Sequence, residues 1–108
     1  MPTVSLDGAR ILDWETFHTE CRHQFGFPDF YGRNMDAWVD CLSYLRDEDG
    51  MCKYRLEADD VLKIEVANAD RLRQTMPEIL DELAFCVAAI NERYADYGEK
   101  PALQLVLT

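Results

Sequence analysis

The sequence contains no apolar run that approaches the roughly 18 residues needed for a membrane-spanning helix, so we expect no membrane partner. Residues 1–7 lack both the basic start and the apolar stretch of a secretory signal peptide. No internal repeat, low-complexity tract or linker divides the chain, and its 108 residues are enough to close one core. These features favour a single domain over residues 1–108 and a cytoplasmic location.

The pattern for a disulfide framework or a metal site is also missing. The four cysteines lie far apart without a CxxC pair; in a cytoplasmic chain they should be reduced and packed as small apolar residues. His18 and Cys21, three residues apart on a predicted helix with His23 nearby, are a possible half-site for a metal ion. Because no second half-site is evident, we expect neither a metal nor a cofactor.

Basic residues are few, since 11 Lys and Arg stand against 21 Asp and Glu and give a net charge of −10. Residues 29–49 carry six acids and two bases, and residues 77–99 carry six acids and one base. Such a field repels nucleic acid and attracts basic partners. The alternative is that the acids only keep a small protein soluble.

Apolar periodicity and capping residues predict three strands that alternate with helices. The predicted strands are Thr3–Leu6, Val61–Ala67 and Ala102–Leu107. The predicted helices run from the cap Asp13 to about Gln24, from Met35 to about Leu45, from Asn68 or Asp70 to about Gln74, and from Pro77 to about Tyr94. A capping box at Thr75 to Glu78 is expected to open the last helix.

Strands separated by helices indicate an α/β fold, with a parallel sheet and crossover helices packed on it. Residues 46–60 are polar, with a turn at Asp49-Gly50, and are predicted as a loop or a marginal strand.

The second predicted helix has two distinct faces. At about 100° per residue, Trp38, Cys41 and Leu42 share one side. Asp36 and Asp40 share the opposite side one turn apart, where like charges cost a few tenths of a kcal/mol in an isolated helix.

Three interpretations of this acidic face remain. It is an ordinary solvated face, a pair of carboxylates for a divalent metal or acid–base chemistry, or a surface for the Arg and Lys of a protein partner. The chain supplies no obvious nucleophile and the acids point outward, which favours the protein partner over a small hydrolase.

Residues 27–42 read FPDFYGRNMDAWVDCL, and this ungapped segment resembles the signature of the barstar family, small acidic inhibitors of a barnase-like ribonuclease. The order of the flanking elements also agrees. The resemblance implies a three-stranded parallel sheet packed with about four helices.

The resemblance also implies a function as an intracellular inhibitor and not as an enzyme. The second helix and its preceding loop would enter the active site of a basic ribonuclease, where the acids stand in for RNA phosphates, with Asp40 as the central anchor. The partner-binding residues implied in this way are Phe30, Tyr31, Gly32, Asn34, Met35, Asp36, Val39 and Asp40, with Glu92 as a further acid on the long helix.

Two residues depart from the family pattern within this segment. Phe30 replaces a Tyr, and Val39 stands where the family has an exposed Trp. A second hypothesis is therefore a module of the same fold that binds a different basic protein.

Overall fold

The computed structural model describes residues 2–47 and 50–108. Residue Asp49 of the predicted Asp49-Gly50 turn, together with Glu48, lies outside the described residues.

Three strands form one parallel sheet. They are β1 (Thr3–Asp7), β2 (Leu62–Ala67) and β3 (Leu103–Leu107), in the spatial order β1-β2-β3. In the register of the sheet, Val4 is opposite Ile64 and Ile64 is opposite Leu105. The predicted α/β fold with a three-stranded parallel sheet is confirmed.

Four α-helices connect and cover the strands within the described ranges, as predicted. They are α1 (Trp14–Phe25), α2 (Met35–Leu42), α3 (Ala69–Thr75) and α4 (Pro77–Asp96), and a short 3-10 helix spans Gly8–Arg10. None of these helices combines the length and the apolar character that crossing a bilayer requires.

Helix α1 shows how strongly local signals define an element. The Asp13 side chain accepts a hydrogen bond from the Thr16 amide at 2.8 Å, and the Thr16 hydroxyl accepts one from the Asp13 amide at 3.0 Å. At the other end, Gly26 has a left-handed backbone with φ of 70°, which a residue without Cβ adopts at little cost. Both ends lie within one residue of their predicted positions.

One predicted helix end and one predicted cap are wrong. Helix α2 ends at Leu42 and not near Leu45, because the Leu45 amide donates to the Tyr94 hydroxyl at 3.1 Å instead of continuing the helix. The capping box at Thr75 does not form, since Thr75 is the last residue of α3 and its hydroxyl donates to the Arg71 carbonyl at 3.2 Å. Pro77 nevertheless occupies the start of α4, where its missing N–H is tolerated.

The connection from residue 50 to the start of β2 contains no strand within the described residues, so the loop alternative of the sequence prediction is confirmed there.

Candidate functional site

The acidic face belongs to α2, whose start is held by Asn34. The Asn34 side chain accepts a hydrogen bond from the Ala37 amide at 2.7 Å, which satisfies one of the free N–H groups of the first turn. Asp36 therefore lies in the first turn of the helix, where a negative charge interacts favourably with the helix dipole.

The opposite face of α2 is anchored in the core. Trp38 is completely buried, Cys41 and Leu42 are buried beside it, and the ring of Trp38 meets Phe25 of α1 edge to face at 6.0 Å. Because this face cannot turn outward without exposing these side chains, Asp36 and Asp40 point to solvent. The predicted division of α2 into a core face and an acidic face is confirmed.

The loop before α2 places its two aromatic residues differently. Phe30 is 77% exposed, whereas Tyr31 is only 6% exposed and packs on Phe27 with 4.6 Å between ring centroids. The Tyr31 hydroxyl lies 2.6 Å from Nδ1 of His18 on α1. Phe30 is thus available to a partner, while most of Tyr31 serves to hold the loop on α1.

The hydrogen bond between His18 and Tyr31 joins two groups that burial keeps neutral. Burial, with a smaller effect from the nearby Arg33 guanidinium, lowers the pKa of His18. Burial also raises the pKa of Tyr31. At neutral pH an uncharged imidazole therefore meets a protonated phenol. One proton lies in the hydrogen bond between Nδ1 of His18 and the Tyr31 hydroxyl, and neither buried group carries a charge.

Arg33 ties the loop to α1 from the other side. Its backbone has φ of 53°, a left-handed conformation that is uncommon for a residue with a side chain. Its guanidinium donates to the Glu15 carbonyl at 2.9 Å and to the Thr19 hydroxyl at 2.7 Å. The adjacent Gly32 and Asn34 are exposed, so these two residues face solvent while the Arg33 side chain holds the loop on α1.

A cavity of about 550 Å³ borders the start of α2, between α1, the loop and α4. Its lining residues are Trp14, Glu15, His18, Arg33, Asn34, Met35 and Glu82. Met35 and Asn34 connect this cavity to the predicted binding residues, while Val39 lies half-buried further along α2.

The last turn of α2 carries a second feature that the sequence pattern did not indicate. A guanidinium nitrogen of Arg93 on α4 lies 3.9 Å from a carboxylate oxygen of Asp40 and donates to the Ser43 hydroxyl at 3.3 Å. Arg93 is the one basic residue within residues 77–99. A single basic residue among six acids is the sequence feature that could have identified Arg93.

Glu92 is exposed on α4, directly before Arg93. Successive residues on a helix are about 100° apart, so Glu92 points away from the direction in which Arg93 reaches Asp40. Its membership of the binding surface stays a prediction.

The thiols near α2 are not poised for chemistry. Burial, followed by the nearby Cys52 and Asp40, raises the pKa of Cys41 to about 11. Burial raises the pKa of Cys86 as well, with added effects from Glu82 and Asp36. A protonated thiol is a poor nucleophile at neutral pH.

No group of three or more His, Cys, Asp or Glu side chains in residues 2–47 and 50–108 is arranged to hold a metal ion. In that part of the chain the acidic face of α2 is therefore a paired-carboxylate surface without further metal ligands around it.

Comparison with known proteins identifies related sequences. A family model described as Barstar (barnase inhibitor) matches residues 1–106. A protein of Bacillus subtilis (strain 168) named "Putative ribonuclease inhibitor YrdF" is 40% identical over 43 residues, which are 40% of this chain and 47% of that protein. The matched segment thus spans about half the length of this relative.

Proposed function

Because the chain belongs to the barstar family, we propose that it inhibits a barnase-like ribonuclease by covering the enzyme's active site with α2 and the preceding loop. The observation that carries this proposal is the outward display of Asp36 and Asp40 on a helix whose other face is buried around Trp38. The ribonuclease-inhibitor descriptions of the family and of the relative support a binding protein and not an enzyme.

Inhibition follows from what a ribonuclease active site must contain. Such a site holds the phosphates of RNA with Arg, Lys and His side chains, and two carboxylates one helical turn apart offer those groups the same negative charge. The carboxylates are held by a helix that begins at a bonded Asn34 cap, so little ordering entropy is lost on binding. RNA and inhibitor then compete for one set of cations.

The remaining residues of the surface supply apolar and shape contacts. Phe30 offers an exposed ring, and aromatic residues are enriched at protein interfaces. Tyr31 contributes mainly by holding the loop through its bond to His18. The proposed contact residues are Phe30, Tyr31, Gly32, Asn34, Met35, Asp36, Val39, Asp40 and Glu92.

The net charge of −10 supports a basic partner and opposes binding to nucleic acid. The buried residues of all three strands and all four α-helices form one hydrophobic cluster, which supports a single domain over residues 1–108.

The test is RNA cleavage by purified barnase-type ribonucleases in the presence of increasing amounts of the protein. We expect activity to fall to zero near one equivalent. The Asp36→Asn/Asp40→Asn double variant should bind at least 100-fold more weakly, since removing one partner of a buried ion pair costs about 3–5 kcal/mol.

The matched control is Glu57→Gln/Asp70→Asn, which removes two exposed acids from the 50–61 connection and from α3. It should inhibit nearly as well as the natural chain. Undiminished cleavage at micromolar excess, across several such enzymes, would contradict the proposal and leave the fold unaffected.

A different basic protein is the second candidate partner, favoured by the half-buried Val39 and by Phe30 in place of a Tyr. Capture of partners from the source cell distinguishes the two, because a ribonuclease recovered with the wild-type chain, and lost with Asp36→Asn/Asp40→Asn, supports inhibition.

A further inference from the structure

Arg93 lies beside the carboxylate that the proposed function assigns to the partner. Its guanidinium is 3.9 Å from Asp40, and the side chains of Arg93 and Asp40 are 55% and 63% exposed. The contact joins α4 to α2, which pack against each other. A cation of the protein itself therefore lies beside the carboxylate that a basic partner would approach.

We infer that Arg93 is a specificity-determining residue that competes with the partner's cations for Asp40 and must be displaced when the complex forms. This inference rests on the proposed function and adds the condition that the partner displaces Arg93 from Asp40. A single lysine or arginine gains little by replacing Arg93, whereas a cluster of cations, such as a phosphate-binding site contains, gains enough to displace it.

The geometry allows this displacement. Ion pairs between exposed side chains at this distance are weak, and the hydrogen bond of Arg93 to Ser43 is long at 3.3 Å. Arg93 also lines a cavity of about 370 Å³ together with Asp47. Glu99 in the same cavity already pairs with Arg46 at 3.5 Å, so Asp47 is the carboxylate toward which the guanidinium can move.

Removal of Arg93 should change binding in the direction opposite to removal of an ordinary contact residue. If Arg93 only positioned Asp40, or touched the partner favourably, its removal would weaken binding. As a competitor it repels the incoming cations in a partly desolvated interface, where charges interact more strongly than in water. Its removal should therefore strengthen binding.

The experiment compares Arg93→Gln with the natural chain in binding to a purified barnase-type ribonuclease by surface plasmon resonance. The matched control is Arg73→Gln, because Arg73 is 54% exposed and pairs with Asp70 on α3 at 2.9 Å. Relative to this control, we expect Arg93→Gln to bind about three- to tenfold more tightly, within the range of measured coupling between neighbouring charges.

Two further variants identify the cause. Arg93→Lys keeps the positive charge and should bind within about twofold of the natural chain, while Arg93→Met, which loses the charge but keeps an unbranched stem, should match Arg93→Gln. In the Asp40→Asn background, Arg93→Gln should tighten binding less than it does in the natural chain, because competition for that carboxylate is gone and only the repulsion of the partner's cations remains.

The outcomes are distinct. Binding of Arg93→Gln and Arg93→Met that equals Arg73→Gln, or is weaker, overturns the inference while the proposed function stands. Absence of binding by the natural chain itself overturns the proposed function and the inference together. Circular dichroism of each variant establishes that the comparison is between folded proteins.

Discussion

His18 and Tyr31 show how single residues give the loop before α2 its shape. Their buried hydrogen bond of 2.6 Å joins α1 to the loop, and an unpaired buried polar group would cost about 1–3 kcal/mol. The sequence places Phe30 and Tyr31 in the loop before α2 but does not indicate which of the two rings faces outward. Burial of Tyr31 depends on a histidine 13 residues away, which no periodic pattern reveals.

His18 should make the stability of the fold depend on pH. Burial lowers its pKa in the folded protein, whereas in the unfolded chain it titrates near 6.5. As the pH falls through that value the unfolded state binds a proton that the folded state resists, so stability is complete above about pH 6.5 and declines below it.

The prediction is a smaller free energy of unfolding at pH 5.5 than at pH 7.5, measured by urea denaturation, and a clearly smaller difference for His18→Gln. Glutamine keeps a hydrogen-bonding group near Tyr31 but does not titrate. His23→Gln, which changes an exposed histidine on the same helix, is the control and should behave like the natural chain. Equal losses for all three proteins would contradict the prediction.

At the scale of elements, the helix starts that a capping residue defines are predictable from sequence. Asp13 and Asn34 bond to amides three residues ahead, and both helices begin where predicted. The end of α2 is not predictable in this way, because it is decided by the hydroxyl of Tyr94, which accepts the Leu45 amide from 49 residues away. At this helix end a tertiary contact overrides the local helix propensity.

The cap of α2 should matter for stability and for binding. We expect Asn34→Ala to lower the free energy of unfolding by about 0.5–2 kcal/mol, because the Ala37 amide loses its acceptor, and to weaken ribonuclease binding because Asp36 lies in the first turn. Thermal denaturation and the cleavage assay measure the two effects.

Asn34→Asp is the matched control for the cap. It keeps an acceptor for the Ala37 amide and places a favourable negative charge at the helix start, so its stability should stay close to that of the natural chain. Identical stability of Asn34→Ala and the natural chain would show that the cap is unimportant.

For the whole molecule, charge should govern the speed of association. A net charge of −10 attracts a basic partner over distances comparable to the Debye length. We expect the association rate with a barnase-type ribonuclease, measured by stopped-flow fluorescence, to fall by about tenfold or more between about 0.02 M and about 0.5 M salt. The dissociation rate should change much less.

The double variant Glu57→Gln/Asp70→Asn provides the comparison for this effect. It retains Asp36 and Asp40 and should lower the association rate modestly at low salt, with no difference at high salt, since only long-range attraction has changed. An association rate that is independent of salt would exclude electrostatic steering.

The sequence by itself determined the alternation of strands and helices, the two faces of α2 and the starts of α1 and α2, because each depends on residues within a few positions of one another. The tertiary structure decided which aromatic residue of the loop faces solvent, where α2 ends and which cation meets Asp40. These depend on His18, Tyr94 and Arg93, which reach α2 and its flanking segments only when α1 and α4 pack around α2. The acidic face is a local property of one helix, but the cation beside it comes from another.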